Sequence, residues 1–223
     1  SVFYQPSTRT RFSFETAMLR LGGTVIGTEN ATEFSSVTKG ESLPDSMKMI
    51  GGYADVIVLR HHEEGSAAAA AAVSPVPIIN GGDGKGEHPT QALLDLYTIL
   101  RELGTLDDLH MVMVGDLLNG RTVHSLARLL ALFNARLTFV SPNGLRMPPY
   151  ILEELRELGI AVVEREELDS VIPDADIIYM TRVQKEWFAD QAEAAAAARY
   201  RLTPESMRLA KARMAVLHPF PRN

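Results

Sequence analysis

The chain has 223 residues, a formal net charge of −6 and no cysteine. This length allows one large domain or two small ones, and the negative charge argues against nucleic acid as a partner. Without cysteine, disulfides and thiolate metal sites are excluded. The apolar runs are far shorter than the roughly 20 residues that cross a bilayer. We therefore expect a soluble, globular protein that acts in the cytoplasm and not at a membrane.

Short apolar runs typical of strands alternate with amphipathic runs typical of helices. The expected strands are 24–26, 55–59, 77–79, 110–114, 136–140, 161–163, 176–179 and 214–217. The expected helices are 11–21, 41–51, 89–102, 122–133, 149–158 and 204–212. The alanine run 67–72 is either a further helix, since alanine has the highest helix propensity, or a stretch whose true side chains the sequence does not record. This alternation predicts an α/β fold with two doubly wound parallel-sheet domains joined by a helix.

The joining helix is the one expected at 89–102. A C-cap and turn signal, Leu103-Gly104-Thr105, ends this helix, and a new strand–helix series begins at His110. We therefore predict one domain over residues 1–103 and a second over residues 104–223. In such folds ligands bind beyond the carboxyl ends of the strands, so we expect the substrates in a cleft between the domains.

Polar clusters follow the apolar runs one after another, which predicts that they lie at the strand ends. The clusters are 7–11, 35–41, Arg60, 88–91, 115–124, 181–186 and 218–222. Taken singly, each is also compatible with an ordinary helix cap or a solvated surface loop. Their occurrence in the same position after successive runs indicates a functional site.

Two of the clusters open helical patterns. At 7–10, hydroxyls and free N–H groups at a helix start would attract an anion, and Arg9 would complete a phosphate cradle. At the next such position, His88 would act as a neutral hydrogen-bond donor, with Gln91 one turn later on the same side. Arg60 adds a cation at the carboxyl end of a strand.

The residue types in these clusters indicate the chemistry. They are arginines, a lysine, hydroxyls, a histidine and glutamines, without a cysteine nucleophile, an H-E-x-x-H metal site or a Walker-type glycine loop. Such a set is suited to holding anions and to stabilising developing negative charge. It is poorly suited to covalent or metal catalysis, so we expect neither a metal nor a cofactor.

Several of these runs, in the same order, resemble one family. The runs are Ser7-Thr8-Arg9-Thr10, His88-Pro89-Thr90-Gln91, Gly120-Arg121-Thr122-Val123-His124-Ser125, Arg182-Val183-Gln184-Lys185-Glu186 and His218-Pro219-Phe220-Pro221-Arg222. They are similar to the aspartate/ornithine carbamoyltransferases over essentially the whole chain. The last two runs resemble the aspartate branch, because the ornithine branch carries a cysteine in the final one.

The resemblance implies transfer of the carbamoyl group from carbamoyl phosphate to the amino group of L-aspartate, a step of pyrimidine biosynthesis, without a cofactor. It implies that residues 1–103 bind carbamoyl phosphate and residues 104–223 bind aspartate. The phosphate would be bound by Ser7, Thr8, Arg9, Thr10 and Arg60. The carbamoyl carbonyl would be polarised by Thr10, Arg60 and His88, and Gln91 would hold the carbamoyl amide.

The remaining implied contacts concern aspartate and a neighbouring subunit. Arg121, beside Thr122, would bind the α-carboxylate, and Arg182 with Gln184 the β-carboxylate. The backbone carbonyls of Pro219 and Phe220 would face the carbamoyl amide and the incoming amine. Ser35 and Lys39 would reach into a neighbouring subunit's site, which implies a homotrimer with shared active sites. Regulatory subunits or fused pathway domains stay open as further partners.

The chain departs from the family pattern at three points. Gln5 stands where a glutamate is usual, which puts an ion pair with Arg121 in doubt, and Trp187 stands where arginine is common. We also expect that segments preceding Ser1 and following Asn223 are missing. Two alternatives stay open: a carbamoyltransferase for another amine-bearing acid, and a catalytically silent oligomerising scaffold.

Overall fold

The structure, a computed structural model, describes residues 1–34, 36–182 and 200–220. It contains two compact units, Ser1–Thr90 and Gln91–Asn223. Each unit is built on its own parallel sheet, so the predicted α/β fold class is confirmed. Within the described ranges, no helix has the length and apolar character required to cross a membrane.

The first unit has a four-stranded sheet in the order β2-β1-β3-β4, with all strands parallel. Its strands are β1 Val2–Phe3, β2 Thr28–Glu29, β3 Ile57–His61 and β4 Ile78–Asp83. Its helices are α1 Thr8–Arg20, α2 Ala31–Phe34, α3 Leu43–Ile50 and α4 Ser66–Ala71, with a 3₁₀ helix at Ser36–Lys39. The chain winds in opposite directions from β1 and β3, so the switch point of the sheet lies between these two strands.

The second unit has a five-stranded parallel sheet in the order β7-β6-β5-β8-β9. Its strands are β5 His110–Val114, β6 Arg136–Val140, β7 Val162–Arg165, β8 Ile177–Met180 and β9 Ala215–Leu217. Its helices are α5 Pro89–Leu103, α6 Arg121–Leu130, α7 Pro149–Glu157 and α8 Pro204–Met207. The switch point lies between β5 and β8.

Strand β5 shows why the second sheet is covered on both faces. All five of its residues are buried. Met111 and Met113 pack in a cluster with α5, α6 and α7, whereas Val112 and Val114 pack in a separate cluster that includes Ile172. Successive strand residues point to opposite faces, so a continuous apolar run is what a strand buried on both faces requires.

Several predicted elements differ in their bounds from the structure, and three of the differences are described here. The strand expected at 24–26 is wrong: the strand is Thr28–Glu29, whose two residues pair with Val2 and Phe3 of β1. The first helix begins at Thr8 and not at residue 11, so the Ser/Thr/Arg cluster forms its first turn. The last helix is Pro204–Met207 and not 204–212, with turn structure following it.

His110 joins three segments at the amino-terminal edge of the second sheet. Its Nδ1 lies 3.1 Å from the carbonyl oxygen of Asp174, and its Nε2 lies 2.8 Å from Thr138 Oγ1. Since a carbonyl only accepts, Nδ1 carries a proton, and in the neutral imidazole Nε2 accepts from the Thr138 hydroxyl. Burial is the main cause that lowers the pKa of His110 below its ordinary value.

We predict that His110 makes the protein less stable as the pH falls. Its unfolded form takes up a proton near pH 6.5, whereas the folded form does so only at a lower pH. The free energy of unfolding therefore falls between about pH 6.5 and the lower pKa of the folded form, and this residue causes no further loss below that pKa. The measurement is the urea midpoint at pH 7 and pH 5 for the wild type and His110→Gln. The wild type should lose more stability than the variant, and equal losses would contradict the prediction.

Candidate functional site

In the first unit, the predicted site residues lie at the carboxyl edge of the sheet. Strands β1 and β3 pair with Phe3 opposite Arg60. Beyond β1, the backbone N–H of Tyr4 donates to the carbonyl of Arg60 at 2.8 Å, so the chain that leaves β1 stays beside β3. Because α1 begins a few residues later, its amino terminus follows directly from the switch point of this sheet.

The amino terminus of α1 presents backbone donors and hydroxyls. Ser7 is the N-cap, but its side chain does not cap the helix; its Oγ donates instead to Thr10 Oγ1 at 2.9 Å. Two of the hydroxyls expected at this helix start therefore bond to each other. The first intrahelical bond runs from Arg11 N–H to the Ser7 carbonyl, so the N–H groups of Thr8, Arg9 and Thr10 have no intrahelical acceptor. Together with the helix dipole, such groups favour an anion.

Arg60 and His88 are brought together at this edge, both less than a tenth exposed. The Nη1 of Arg60 donates to the carbonyl of Gly81 in β4 at 2.9 Å, which fixes the direction of the guanidinium. The same Nη1 lies 3.5 Å from His88 Nε2. Two nitrogen atoms at this separation can both contact a single oxygen atom at hydrogen-bond length.

The second cluster, 35–41, falls partly outside the described residues, because Ser35 is not among them. Lys39 ends the 3₁₀ helix Ser36–Lys39 and its side chain is exposed. Gly40 follows with a φ of +86° and reverses the chain before α3. Lys39 is therefore presented at the surface of the first unit.

In the second unit, the loop after β5 is braced from within. Asp116 is fully buried and accepts hydrogen bonds from the backbone N–H and the side-chain amide of Asn119, at 3.0 and 3.1 Å. A side chain at Gly120 would meet the Asp116 carbonyl oxygen at 2.6 Å, so only glycine fits this close turn. The braced loop fixes the start of α6, where Arg121 and Thr122 lie.

Arg182 follows β8, the neighbour of β5 across the switch point. Thr181 connects the two strand ends, because its N–H and its hydroxyl both donate to the Val114 carbonyl, at 2.8 and 3.0 Å. Gly115 approaches Thr181 so closely that an added Cβ would lie 2.5 Å from its Oγ1. Arg121 and Arg182 therefore follow adjacent strands at one edge of the sheet. The predicted site residue Gln184 lies outside the described residues.

The last predicted pair, Pro219 and Phe220, follows β9 at the same edge of the second sheet. Phe220 has a φ of +25°, an unusual value for a residue other than glycine. Its ring lies 6.2 Å from that of His218, centre to centre, in a tilted arrangement. The backbone carbonyls of this segment are thus presented by a tightly turned chain.

A buried polar network that the sequence analysis did not identify lies beneath Gln91. The Nε2 of Gln91 donates to Asp95 Oδ1 at 3.0 Å, and the Tyr179 hydroxyl donates to Asp95 Oδ2 at 2.7 Å. The side chain of Thr122 also hydrogen-bonds to Tyr179. Burial raises the pKa of Asp95 to about 6 and that of Tyr179 well above its usual value. The spacing from Gln91 to Asp95, one helical turn, was the one available signal.

No group of three or more histidine, aspartate or glutamate side chains within the described ranges is arranged to hold a metal ion. The residues that the structure does gather are donors and cations. In the first unit these are Ser7, Thr10, Arg60 and His88, and in the second Arg121, Thr122 and Arg182, which follow the adjacent strands β5 and β8. Such groups bind anions and stabilise negative charge that develops during a reaction.

Comparisons with known proteins agree with this chemistry. Residues 1–101 match the family model "Aspartate/ornithine carbamoyltransferase, carbamoyl-P binding domain", and residues 107–223 match "Aspartate/ornithine carbamoyltransferase, Asp/Orn binding domain". The aspartate carbamoyltransferase catalytic subunit of Methanocella arvoryzae is 52% identical over 224 residues, covering 100% of this chain and 72% of the relative. The multifunctional protein CAD of Squalus acanthias is 53% identical, covering 100% of this chain and 10% of that protein.

Solved structures show the same similarity. Aspartate transcarbamoylase from Trypanosoma cruzi, in complex with carbamoyl aspartate and phosphate, superposes with a TM-score of 0.92 at 43% identity. The catalytic subunit of M. jannaschii aspartate transcarbamoylase superposes with a TM-score of 0.87 at 51% identity. Each match covers 100% of this chain and 72% of the solved one. The chain therefore belongs to the aspartate/ornithine carbamoyltransferase family.

Proposed function

We propose that this protein is an enzyme that transfers the carbamoyl group of carbamoyl phosphate to the amino group of L-aspartate, giving N-carbamoyl-L-aspartate and phosphate. The observation that carries this proposal is the convergence of Arg60 Nη1 and His88 Nε2, 3.5 Å apart, at the sheet edge from which α1 begins. A helix amino terminus suits a phosphate, and paired nitrogen donors suit a carbonyl oxygen that becomes negative. Carbamoyl phosphate carries both groups in one molecule.

Carbamoyl phosphate is held as follows. The phosphate lies against the N–H groups and hydroxyls of Ser7, Thr8, Arg9 and Thr10, with Arg60 beside it. The carbonyl oxygen receives hydrogen bonds from Thr10, Arg60 and His88. Gln91 contacts the carbamoyl amide. The rigid support for Arg60, its bond to the Gly81 carbonyl, favours this role because donors that are already in place need not reorganise during the reaction.

Aspartate is held by the second set of residues. Arg121 binds the α-carboxylate, with Thr122 beside it, and Arg182 binds the β-carboxylate together with Gln184. The carbonyls of Pro219 and Phe220 face the nitrogen atoms of the carbamoyl group and of the incoming amine. Two arginines that follow adjacent strands, β5 and β8, support a substrate with two carboxylates.

The reaction needs no covalent enzyme intermediate. The neutral amine of aspartate attacks the carbamoyl carbon, and the carbonyl oxygen takes up negative charge in a tetrahedral intermediate. The carbon–oxygen bond to phosphate then breaks, and phosphate leaves with the proton that the amine loses. Orientation of the two substrates and stabilisation of the oxyanion supply the acceleration, with about 3 kcal/mol for each main donor.

Residues 1–103 form the carbamoyl-phosphate-binding domain in this proposal, and residues 104–223 the aspartate-binding domain. The ranges of the two matching family models support this division. The active form is a cytoplasmic homotrimer in which Ser35 and Lys39 complete the site of a neighbouring subunit. Relatives that are catalytic subunits or segments of a multifunctional protein support regulatory subunits or fused domains as further partners.

Steady-state assays of the full-length protein test the substrate assignment. With carbamoyl phosphate as donor, we expect carbamoyl transfer to L-aspartate and a kcat/KM for L-ornithine lower by at least about 10⁴, because the half-buried Arg182 then faces an ammonium group in place of a carboxylate. Calorimetric titration with carbamoyl phosphate is the companion measurement. A preference for ornithine would contradict the assignment, and absence of carbamoyl phosphate binding would favour a silent scaffold.

Sharing of sites between subunits predicts complementation. Arg9→Ala and Lys39→Ala subunits should each be nearly inactive alone, because each trimer then lacks one group at every site. After random mixing in equal amounts, one site in every mixed trimer receives both intact residues, so activity should recover to about a quarter of the wild type. Activity no higher than that of the two separate variants would show that the sites are not shared.

A further inference from the structure

The hydrogen bonds among Gln91, Asp95 and Tyr179 decide which end of the Gln91 carboxamide faces a ligand, and this bears on the choice of substrate. Asp95 is 4% exposed, and both of its oxygens receive hydrogen bonds: Oδ1 from Gln91 and Oδ2 from Tyr179. An ionised carboxylate can only accept hydrogen bonds. The group of Gln91 that faces Asp95 must therefore be its NH₂, and the carboxamide oxygen of Gln91 must point the other way.

This orientation gives Gln91 a defined chemical character toward any ligand. A free glutamine presents either a donor or an acceptor, because its amide can turn by half a rotation. Gln91 lies in the first turn of α5, three residues after His88, and its NH₂ is already committed to Asp95. It therefore presents its oxygen, an acceptor, and this oxygen suits a ligand that carries an N–H group.

We propose that Asp95 is a positioning residue that fixes the carboxamide of Gln91 with its oxygen outward, and that it thereby selects acyl phosphates bearing an NH₂ group over those bearing a methyl group. This inference rests on the proposed function, in which Gln91 contacts the carbamoyl amide. Acetyl phosphate matches carbamoyl phosphate closely in shape and charge but has a methyl group in place of the NH₂. A methyl group would leave the oriented oxygen of Gln91 without its donor.

Gln91 keeps this orientation at any pH at which Asp95 is ionised. Burial raises the pKa of Asp95 to about 6, while the hydrogen bonds from Tyr179 and Gln91 oppose that rise. Above that pH, Asp95 is a carboxylate and cannot donate to the oxygen of Gln91. Tyr179 is fully buried at the end of β8 and holds the other oxygen of Asp95, so the carboxylate itself cannot turn freely.

The test compares two variants that differ only at Asp95. Tyr179→Phe removes one hydrogen bond to Asp95 and keeps the bond to Gln91. In the double variant Asp95→Leu with Tyr179→Phe, an apolar side chain of similar shape replaces the acceptor, and no tyrosine hydroxyl is left buried without a partner. The dissociation constants of carbamoyl phosphate and acetyl phosphate are measured for both variants and the wild type by calorimetry, at about pH 8, where Asp95 is ionised.

The measured quantity is the dissociation constant of acetyl phosphate divided by that of carbamoyl phosphate. We expect this ratio to be the same in the wild type and in Tyr179→Phe. In the double variant this ratio should fall by about threefold to tenfold, because carbamoyl phosphate must then order the freed side chain of Gln91 before its oxygen can accept from the NH₂ group. A merely structural role of Asp95 would weaken both ligands equally and leave the ratio unchanged. Equal ratios in the two variants, or a wild type that binds both ligands equally, would overturn the inference. A wild type that binds neither ligand would instead contradict the proposed function.

Discussion

The hydrogen bond from Arg60 to the carbonyl of Gly81 is the interaction on which the rest of the candidate site depends. It holds a guanidinium, less than a tenth exposed, at the carboxyl edge of the first sheet. From that position one nitrogen of Arg60 reaches within 3.5 Å of His88. The backbone carbonyl of Arg60 also accepts from Tyr4, which ties the segment leading to α1 to the same strand. One residue thus connects the phosphate end of the proposed site with its carbonyl end.

The second unit uses the same architecture for a different purpose. Its switch point, between β5 and β8, is fixed by the contact of Gly115 with Thr181 and by the buried Asp116 in the following loop. Arg121 and Arg182 leave from these two strand ends. Each unit therefore places cations at the point where its strand order reverses, which is where parallel sheets bind ligands. Duplication of this arrangement suits a reaction that joins two anionic substrates.

Much of this organisation could be predicted from the sequence. The strand runs and the polar clusters that follow them are local patterns, so the fold class and the position of the clusters were predictable. Pairing between distant strands is not local, and the expected strand at 24–26 was wrong because the register of β1 decides where β2 begins. The hydrogen bond between Tyr179 and Asp95 joins residues 84 positions apart, so no motif could reveal it. The hydroxyl pair of Ser7 and Thr10 likewise depends on a side-chain rotation that sequence does not determine.

A crystal structure of the full-length protein with a bisubstrate analogue that carries a phosphonate and two carboxylates tests most directly whether Arg60 joins the two ends of the candidate site. We expect the phosphonate against the N–H groups of Thr8, Arg9 and Thr10, and the amide carbonyl oxygen within hydrogen-bond distance of both Arg60 and His88. We further expect the two carboxylates on Arg121 and Arg182. A phosphonate bound away from the start of α1, or a carbonyl oxygen that contacts neither Arg60 nor His88, would contradict the account.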